Sequence, residues 1–347
     1  MMKIELITNP GDWNNYLSQC SFYTFFHTWN WGNILSNSYG YKGLFFVIDD
    51  SFIFPCFKVS RLLKHYLISS PLAEYGGPIP FSSSQITLDD IISKLKSLGE
   101  QSSCSIQTSF HPFVLKNLSP SEDVSLAKYH ANLDLSTYML RLNTNYEKYF
   151  ELLKKEVRYE IRKADVNSLE FEEILKTDGL KNNKIDELYR IYLHNSRRNL
   201  AIPVSFKFFK YLLEDENCHI YTVRSKEEGY VISAGVFLEY NNVFHFYKNF
   251  TYDKFFKLRP VYFMFSEIIK DLYNSDISCL DFGGVRKGGP LEIFKKNWGA
   301  DHFDIPRYSD EENAFDIAHL SPFRTLWGKM PLKIIRNFGP LLSRYLL

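Results

Sequence analysis

Three apolar runs separated by turn residues restrict this chain more than any other feature. They are His219–Ser225, Tyr230–Tyr240 and Val243–Phe250. Each is rich in β-branched and aromatic residues, the signature of strands. Glu227-Glu228-Gly229 supplies the first turn, and Asn241-Asn242 the second. Paired asparagines tolerate positive φ, which a primed two-residue hairpin requires. The spacing therefore predicts an antiparallel meander. A helix over Leu258–Tyr273 follows, with Pro260 suited to its first turn. Next comes a short apolar run, Ile277–Phe282, expected as a buried strand.

The stretch after that run carries the densest chemistry. Gly283, Gly284, Gly288 and Gly289 let the backbone approach a ligand or take positive φ. Arg286 and Lys287 lie among them. Pro290 opens a short helix with Lys295 and Lys296 along it and Phe294 and Trp298 on its apolar side; Gly299 ends it. A strand, a basic glycine loop and a helix make a seat for an anionic group. An ordinary tight connection with a solvated basic helix is the competing reading.

Upstream, Lys3–Ile7 reads as a strand and Trp13, Tyr16 and Leu17 have helical spacing. Thr28 is placed to cap a helix carrying Trp29, Trp31 and Leu35. Residues 43–59 read as two strands joined at Asp49-Asp50-Ser51, and 87–98 as an amphipathic helix. Residues 104–109 are strand-like, Ser119–Asp123 is a polar turn, and Ala127–Leu142 contains further strand sequence. Tyr146–Ala164 reads as one strong helix. Leu169–Leu175 is a strand candidate, and Ile185–Asn199 and Ser205–Leu213 are helices. The fold class is α+β, a mixed α/β arrangement. The second half has the element order of the GNAT acyltransferase fold, though order alone does not fix function.

Composition narrows the function classes. The chain has 347 residues, with 23% charged and a net charge of +1, so no global field favours nucleic acid. Five scattered cysteines without a CxxC pattern fit a reducing compartment rather than a disulfide framework. Nine histidines form no close ligand pattern, so no metal site is expected. Met1–Thr8 has no long apolar core and does not read as a secretory signal. No run approaches the length of about 20 apolar residues that spans a bilayer. The expectation is a cytoplasmic protein, able to meet the inner face of the membrane peripherally.

The end of the chain is distinct. An acidic linker over Tyr308–Asp316 precedes Ala318–Leu347, which contains no Asp or Glu. Arg324, Lys329, Lys333, Arg336 and Arg344 alternate there with apolar residues, and Pro331 and Pro340 interrupt the run. Such a tail either lies in a membrane interface or folds back on the first domain.

Three segments together resemble the FemAB-like transferases. Arg158-Tyr-Glu-Ile-Arg-Lys-Ala164 resembles the family's "R-x-x-I-R-K-A" helix end. Ser70-Pro-Leu-Ala-Glu-Tyr-Gly-Gly-Pro78 is similar to its first-domain loop. Asp281-Phe-Gly-Gly284 with Leu291-Glu-Ile-Phe-Lys-Lys-Asn-Trp-Gly299 is similar to its closing "D-F-G … L-x-x-F-K-x-x-F-G" segment. Order and spacing match over roughly residues 20–305. The resemblance implies two tandem GNAT-like domains, here expected at 1–140 (acceptor side) and 141–307 (acyl transfer), with linker and tail at 308–347. It implies transfer of an aminoacyl or acyl group to an amine of a peptidoglycan or polysaccharide precursor. It also places Lys295, after the Phe of the closing segment, near the acyl-transfer site.

The site expected on this basis has Lys295, Tyr247 and Asp281 as catalytic residues. Lys295 stabilises an oxyanion, Tyr247 relays a proton, and Asp281 orients or acts as a base. Glu74, Tyr75, Arg158, Arg162 and Arg197 bind substrate, arginine offering a bidentate fork. Gly283, Gly284, Arg286, Lys287 and Lys296 bind the donor. For Asp281 and Glu74 the competing role is a turn carboxylate capping backbone N–H groups, and for the arginines a solvated basic face. No tightly bound cofactor is expected. The donor is aminoacyl-tRNA or acyl-CoA. The helical hairpin of some tRNA-using members is absent, and so is the "R/Q-x-x-G-x-G/A" cradle of acetyl-CoA enzymes, replaced here by Tyr252-Asp-Lys-Phe-Phe-Lys-Leu-Arg-Pro260. An acyl-CoA-dependent acetyltransferase acting on an amino sugar and a non-catalytic membrane adaptor in envelope assembly are the alternatives.

Overall fold

Leu44–Ile48 and Phe52–Phe57 are apolar at every position, the pattern of strands covered on both faces. A computed structural model, which describes residues 2–61, 64–69, 71–118, 132–175, 182–311 and 327–346, shows that arrangement. The chain divides into two units. One comprises Met1–Ser136 and Phe303–Ile317; the other comprises Thr137–His302 and Ala318–Leu346.

In the first unit the sheet runs Ile4–Ile7, Lys42–Ile48, Phe52–Arg61, Lys64–Ile68, Ser105–Ser109, Arg307–Ser309. Strand alternation separates two cores. Phe46, Ile48, Phe52 and Phe54 meet Ile91, Leu95 and Leu98 of helix Leu88–Ser102. Phe45, Val47 and Ile53 meet Trp13 and Leu17 of helix Pro10–Leu17 on the other side. Thr87 and Asp90 form a capping box at the start of the first of these helices. Thr28 Oγ1 accepts from Trp31 N at 3.3 Å and caps helix Trp29–Tyr39, as the sequence indicates. The stretch expected to start a linker at Tyr308 instead pairs antiparallel with Ser105–Ser109, and the Asp310 carboxylate accepts from Ile106 N.

In the second unit the sheet runs Val285–Arg286, Leu135–Arg141, Cys279–Asp281, Val243–Thr251, Tyr230–Tyr240, Cys218–Ser225, Leu169–Glu173. Asn241 and Asn242 have φ of 44° and 57°, so the expected primed hairpin forms. One sheet face packs on helices Lys155–Asp165 and Pro260–Leu272 through Val157, Ile161, Met264, Phe265, Ile268 and Ile269. On the other face helix Asn182–Arg198 contacts strand Val243–Thr251, with Tyr192 and Phe250 rings 5.8 Å apart. The single helix expected over Tyr146–Ala164 is two, Tyr146–Leu152 and Lys155–Asp165, because Leu153 and Lys154 adopt extended ψ of 147° and 143°. The Ser119–Asp123 turn, part of Ala127–Leu142, most of the acidic linker and the start of the tail lie outside the described residues. Among the described residues no helix is long and apolar enough to cross a membrane.

His27 is buried in the first unit. Its Nδ1 accepts from Thr24 N, and its Nε2 lies 2.9 Å from the Gly77 carbonyl. Burial pushes its pKa down to about 4, with the backbone contacts opposing. Between about pH 6.5 and that value the unfolded chain is protonated and the folded one is not. Acidification over that window therefore removes stability. The urea midpoint of the protein should fall more steeply from pH 7 to pH 4.5 than that of a His27→Gln variant.

Candidate active site

Strand Val243–Thr251 pairs along its length with Tyr230–Tyr240, but with its parallel neighbour Cys279–Asp281 only over Val243–His245. Among the described residues that pairing ends at His245–Asp281. The register against Tyr230–Tyr240 also slips here: Val236 faces Lys248 and Phe237 faces Phe246, so Tyr247 is the extra residue of a bulge. A bulge bends its strand at the very place where the two parallel strands part. Phe244 and Phe246 enter the hydrophobic core, and His245 points to the opposite face by alternation. Tyr247 is buried, with Lys248 Nζ 4.5 Å from its ring centre.

Asp281 closes the short strand and is fully buried. Its Oδ1 accepts from the Thr137 hydroxyl at 2.6 Å and from Gly283 N at 2.9 Å. Its Oδ2 lies 3.0 Å from His245 Nδ1. A carboxylate there puts the proton on Nδ1, so this ring nitrogen donates. Thr137, Asp281 and His245 come from three adjacent strands and form one buried polar cluster.

The chain then turns at Gly283, whose φ is 70°, a conformation that glycine adopts without strain. The Lys295 ammonium, almost completely buried, donates to the Gly283 carbonyl at 2.8 Å and to the Gly284 carbonyl at 3.0 Å. It lies 5.9 Å from the ring centre of Phe246, one residue before the bulge. The Gly283 residue thus joins Asp281 on its N–H side to Lys295 on its carbonyl side. Glu292 fixes the rest of the loop, accepting from Gly288 N at 2.6 Å and from the Tyr138 hydroxyl at 3.0 Å. Those bonds, the Gly288 one foremost, hold its carboxyl below the usual range. The N–H of Gly283, expected at the donor, and that of Gly288 are therefore occupied by the chain's own carboxylates.

Lys295, Asp281, Gly283 and Gly284 are brought together, with Tyr247 on the neighbouring strand. Arg286, Lys287 and Lys296 are exposed. Arg158 donates to the Glu151 carbonyl at 3.1 Å, closing the end of helix Tyr146–Leu152. Exposed Arg162 lies 6.0 Å from the Phe150 ring, and Arg197 is half-buried. Glu74 and Tyr75 belong to the first unit. The Tyr75 ring is fully buried, 4.5 Å from His111, so it packs there as core. Neighbouring Gly77 approaches Ser109 so closely that a Cβ would lie 2.7 Å from its carbonyl oxygen.

A cavity of about 460 Å³ opens elsewhere in the second unit. Arg190, His194, Tyr230, Tyr252, Asp253 and Lys254 are among its lining residues. None of the residues expected for the site lines it. Tyr252–Lys254, however, starts the basic segment that stands where an acetyl-CoA cradle was sought. Burial, followed by the charge of Arg197, lowers the His194 pKa. His245 and Thr137 escaped the sequence reading because their partnership is cross-strand. The register Asp281 against His245 and Met139 puts them together, and no local motif marks it.

Residues 153–298 match the family described as Acetyltransferase (GNAT) domain. This segment lies within the second unit and contains the meander, the parting strands and Lys295. The fold as a whole is a tandem of GNAT-like units, and the FemAB-like resemblance is supported at the level of fold. The structure of FemX is similar at 11% identity and TM-score 0.65, over 94% of this chain and 100% of that one. The C-terminal domain of a putative lysylphosphatidylglycerol synthetase from Agrobacterium fabrum is similar at 10% identity and TM-score 0.58, over 91% and 97%. L-PGS from Bacillus licheniformis is similar at 9% identity and TM-score 0.57, over 93% and 98%. Comparison with curated proteins gives no match.

Removing the Thr137 hydroxyl leaves a fully buried carboxylate short of one donor. Thr137→Val should cost about 1–3 kcal/mol in chemical denaturation, with the loss reduced when Asp281 is already replaced by Asn.

Proposed function

We propose that this chain is an N-acyltransferase of the FemAB-like type, moving an aminoacyl or acyl group to an amine of a peptidoglycan or polysaccharide precursor. The observation that carries this reading is the buried Lys295 ammonium, pinned beside the point where two parallel strands separate. A fixed cation in a place shielded from water stabilises developing negative charge without having to reorganise. The acyl carbonyl lies against Lys295 as the neutral amine attacks it. A new C–N bond forms and the tetrahedral oxyanion faces the ammonium. Collapse breaks the bond to the leaving oxygen or sulfur, and the proton lost by the amine ends on that atom. Tyr247, at the bulge, is the candidate relay for this proton. Asp281 acts indirectly: it holds the Gly283 turn against which Lys295 is braced, and orients His245.

The donor is aminoacyl-tRNA in the first reading and acyl-CoA in the second. The match of residues 153–298 to an acetyltransferase domain favours acyl-CoA. The lack of a glycine cradle in Tyr252–Pro260 and the FemAB-like motifs of the sequence favour the tRNA ester. Arg190 and Lys254, at the cavity beside that segment, are suited to the phosphates of either donor. Work on an envelope precursor would bring the enzyme to the inner face of the cytoplasmic membrane.

A Lys295→Met protein keeps the length of the side chain and loses its charge. Transfer should fall by about 10²–10³-fold, with the melting transition retained. Undiminished transfer by a folded variant removes Lys295 from the reaction. Thermal shift with CoA and with aminoacyl-tRNA separates the donors, since a ligand of the native state raises the melting temperature. A tRNA complex should also weaken steeply as salt is raised.

A further inference from the structure

The end of the chain packs on its own fold, but not on the first domain as expected. Helix Leu332–Leu346 packs against helix Asn182–Arg198 within the second unit, rather than on the first domain. Ile335, Gly339 and Ser343, spaced four apart, form its buried side. A Cβ at Gly339 would lie 2.5 Å from Pro203, and one at Gly328 would lie 2.4 Å from Leu200, so small residues permit the close approach. Arg336 fastens the same side: it pairs with Asp186 at 2.7 Å and lies 5.6 Å from the Tyr189 ring and 5.2 Å from the Phe206 ring.

The opposite side is apolar too. Ile334, Phe338 and Leu341 follow an i, i+4, i+7 row and are 40%, 57% and 57% exposed. Lys333 and Lys329 are exposed beside and just before the row. The Asp186 carboxylate is engaged with Arg336 on the docked side. No Asp or Glu occurs anywhere from Ala318 to Leu347. An apolar row with basic flanks and no acidic residue is complementary to a negatively charged lipid interface, where acyl boundary and headgroups are met together.

We infer that the outer face of helix Leu332–Leu346 is a membrane-docking surface for anionic lipid, with Ile334, Phe338 and Leu341 entering the interface and Lys333 and Lys329 meeting headgroups. The docked inner face holds the row fixed on the catalytic unit, so the unit itself is brought to the lipid surface. Membrane binding gives the proposed transfer a place to act. It does not require that transfer, so either can fail while the other stands.

The test is flotation of the full chain with phosphatidylcholine vesicles and with vesicles of equal parts phosphatidylcholine and phosphatidylglycerol. The chain should float with the anionic vesicles and remain behind with neutral ones. Phe338→Ser with Leu341→Ser, both at exposed positions, should lower the bound fraction at least about tenfold, with an unchanged melting temperature. Lys333→Glu should lower it about fivefold or more, and raised salt should do the same. No flotation with anionic vesicles, or flotation indifferent to these substitutions, overturns the assignment. So does a light-scattering result in which the double substitution converts a dimer to a monomer without any vesicle binding, which would make the face a contact between copies of the chain.

Discussion

A single residue in the left-handed region, Gly283, couples the two buried charges of the second unit. Its N–H satisfies Asp281 and its carbonyl receives Lys295. Neither charge is tolerable in an apolar interior without such partners, because an unsatisfied buried ion costs several kcal/mol. The consequence reaches across the sheet. Asp281 can end its strand only if Thr137 and His245 stand on the flanking strands in register. Lys295 can be buried only if the helix carrying it returns to the end of that strand.

This arrangement explains why glycine-loop chemistry and lysine chemistry are separate here. A loop that binds phosphate needs N–H groups pointing outward, free for the ligand. In this loop Gly283 and Gly288 donate to the chain's own Asp281 and Glu292, while the carbonyls of Gly283 and Gly284 turn to Lys295. The loop therefore acts as a brace. It fixes one ammonium against the Gly283 and Gly284 carbonyls, just past the point where the pairing of the parallel strands ends. Arg190 and Lys254 line a separate cavity.

Much of this was legible in the sequence where the signal is local. The Asn241-Asn242 hairpin, the Thr28 and Thr87 caps and the Pro260 helix start follow from turn and capping chemistry within a few residues. The two apolar runs of residues 43–59 around Asp49-Asp50-Ser51 likewise announce a pair of strands, and these form. What could not be read is register. Thr137 lies 144 residues from Asp281, and only strand pairing brings them together. The roles of the arginines were obscured for a related reason. A basic helical face looks the same whether it clamps a ligand or, as Arg158 does, serves the end of the preceding helix. The break between Leu153 and Lys154 has no Pro or Gly to mark it.

Strand Arg307–Ser309 completes an edge of the first sheet after the chain has passed through the second unit's helix Pro290–Asn297, and Trp327 onward then rejoins the second unit. Each unit is therefore discontinuous along the chain. No single cut yields both halves intact: severing after His302 strips an edge strand from one, and severing after Ser309 strips a packed helix from the other. Polypeptide interleaved in this way ties the folding of the units to one another through covalent order alone. A ribosome must deliver the chain through Ser309, past the strands of the second sheet, before the first sheet has all its parts.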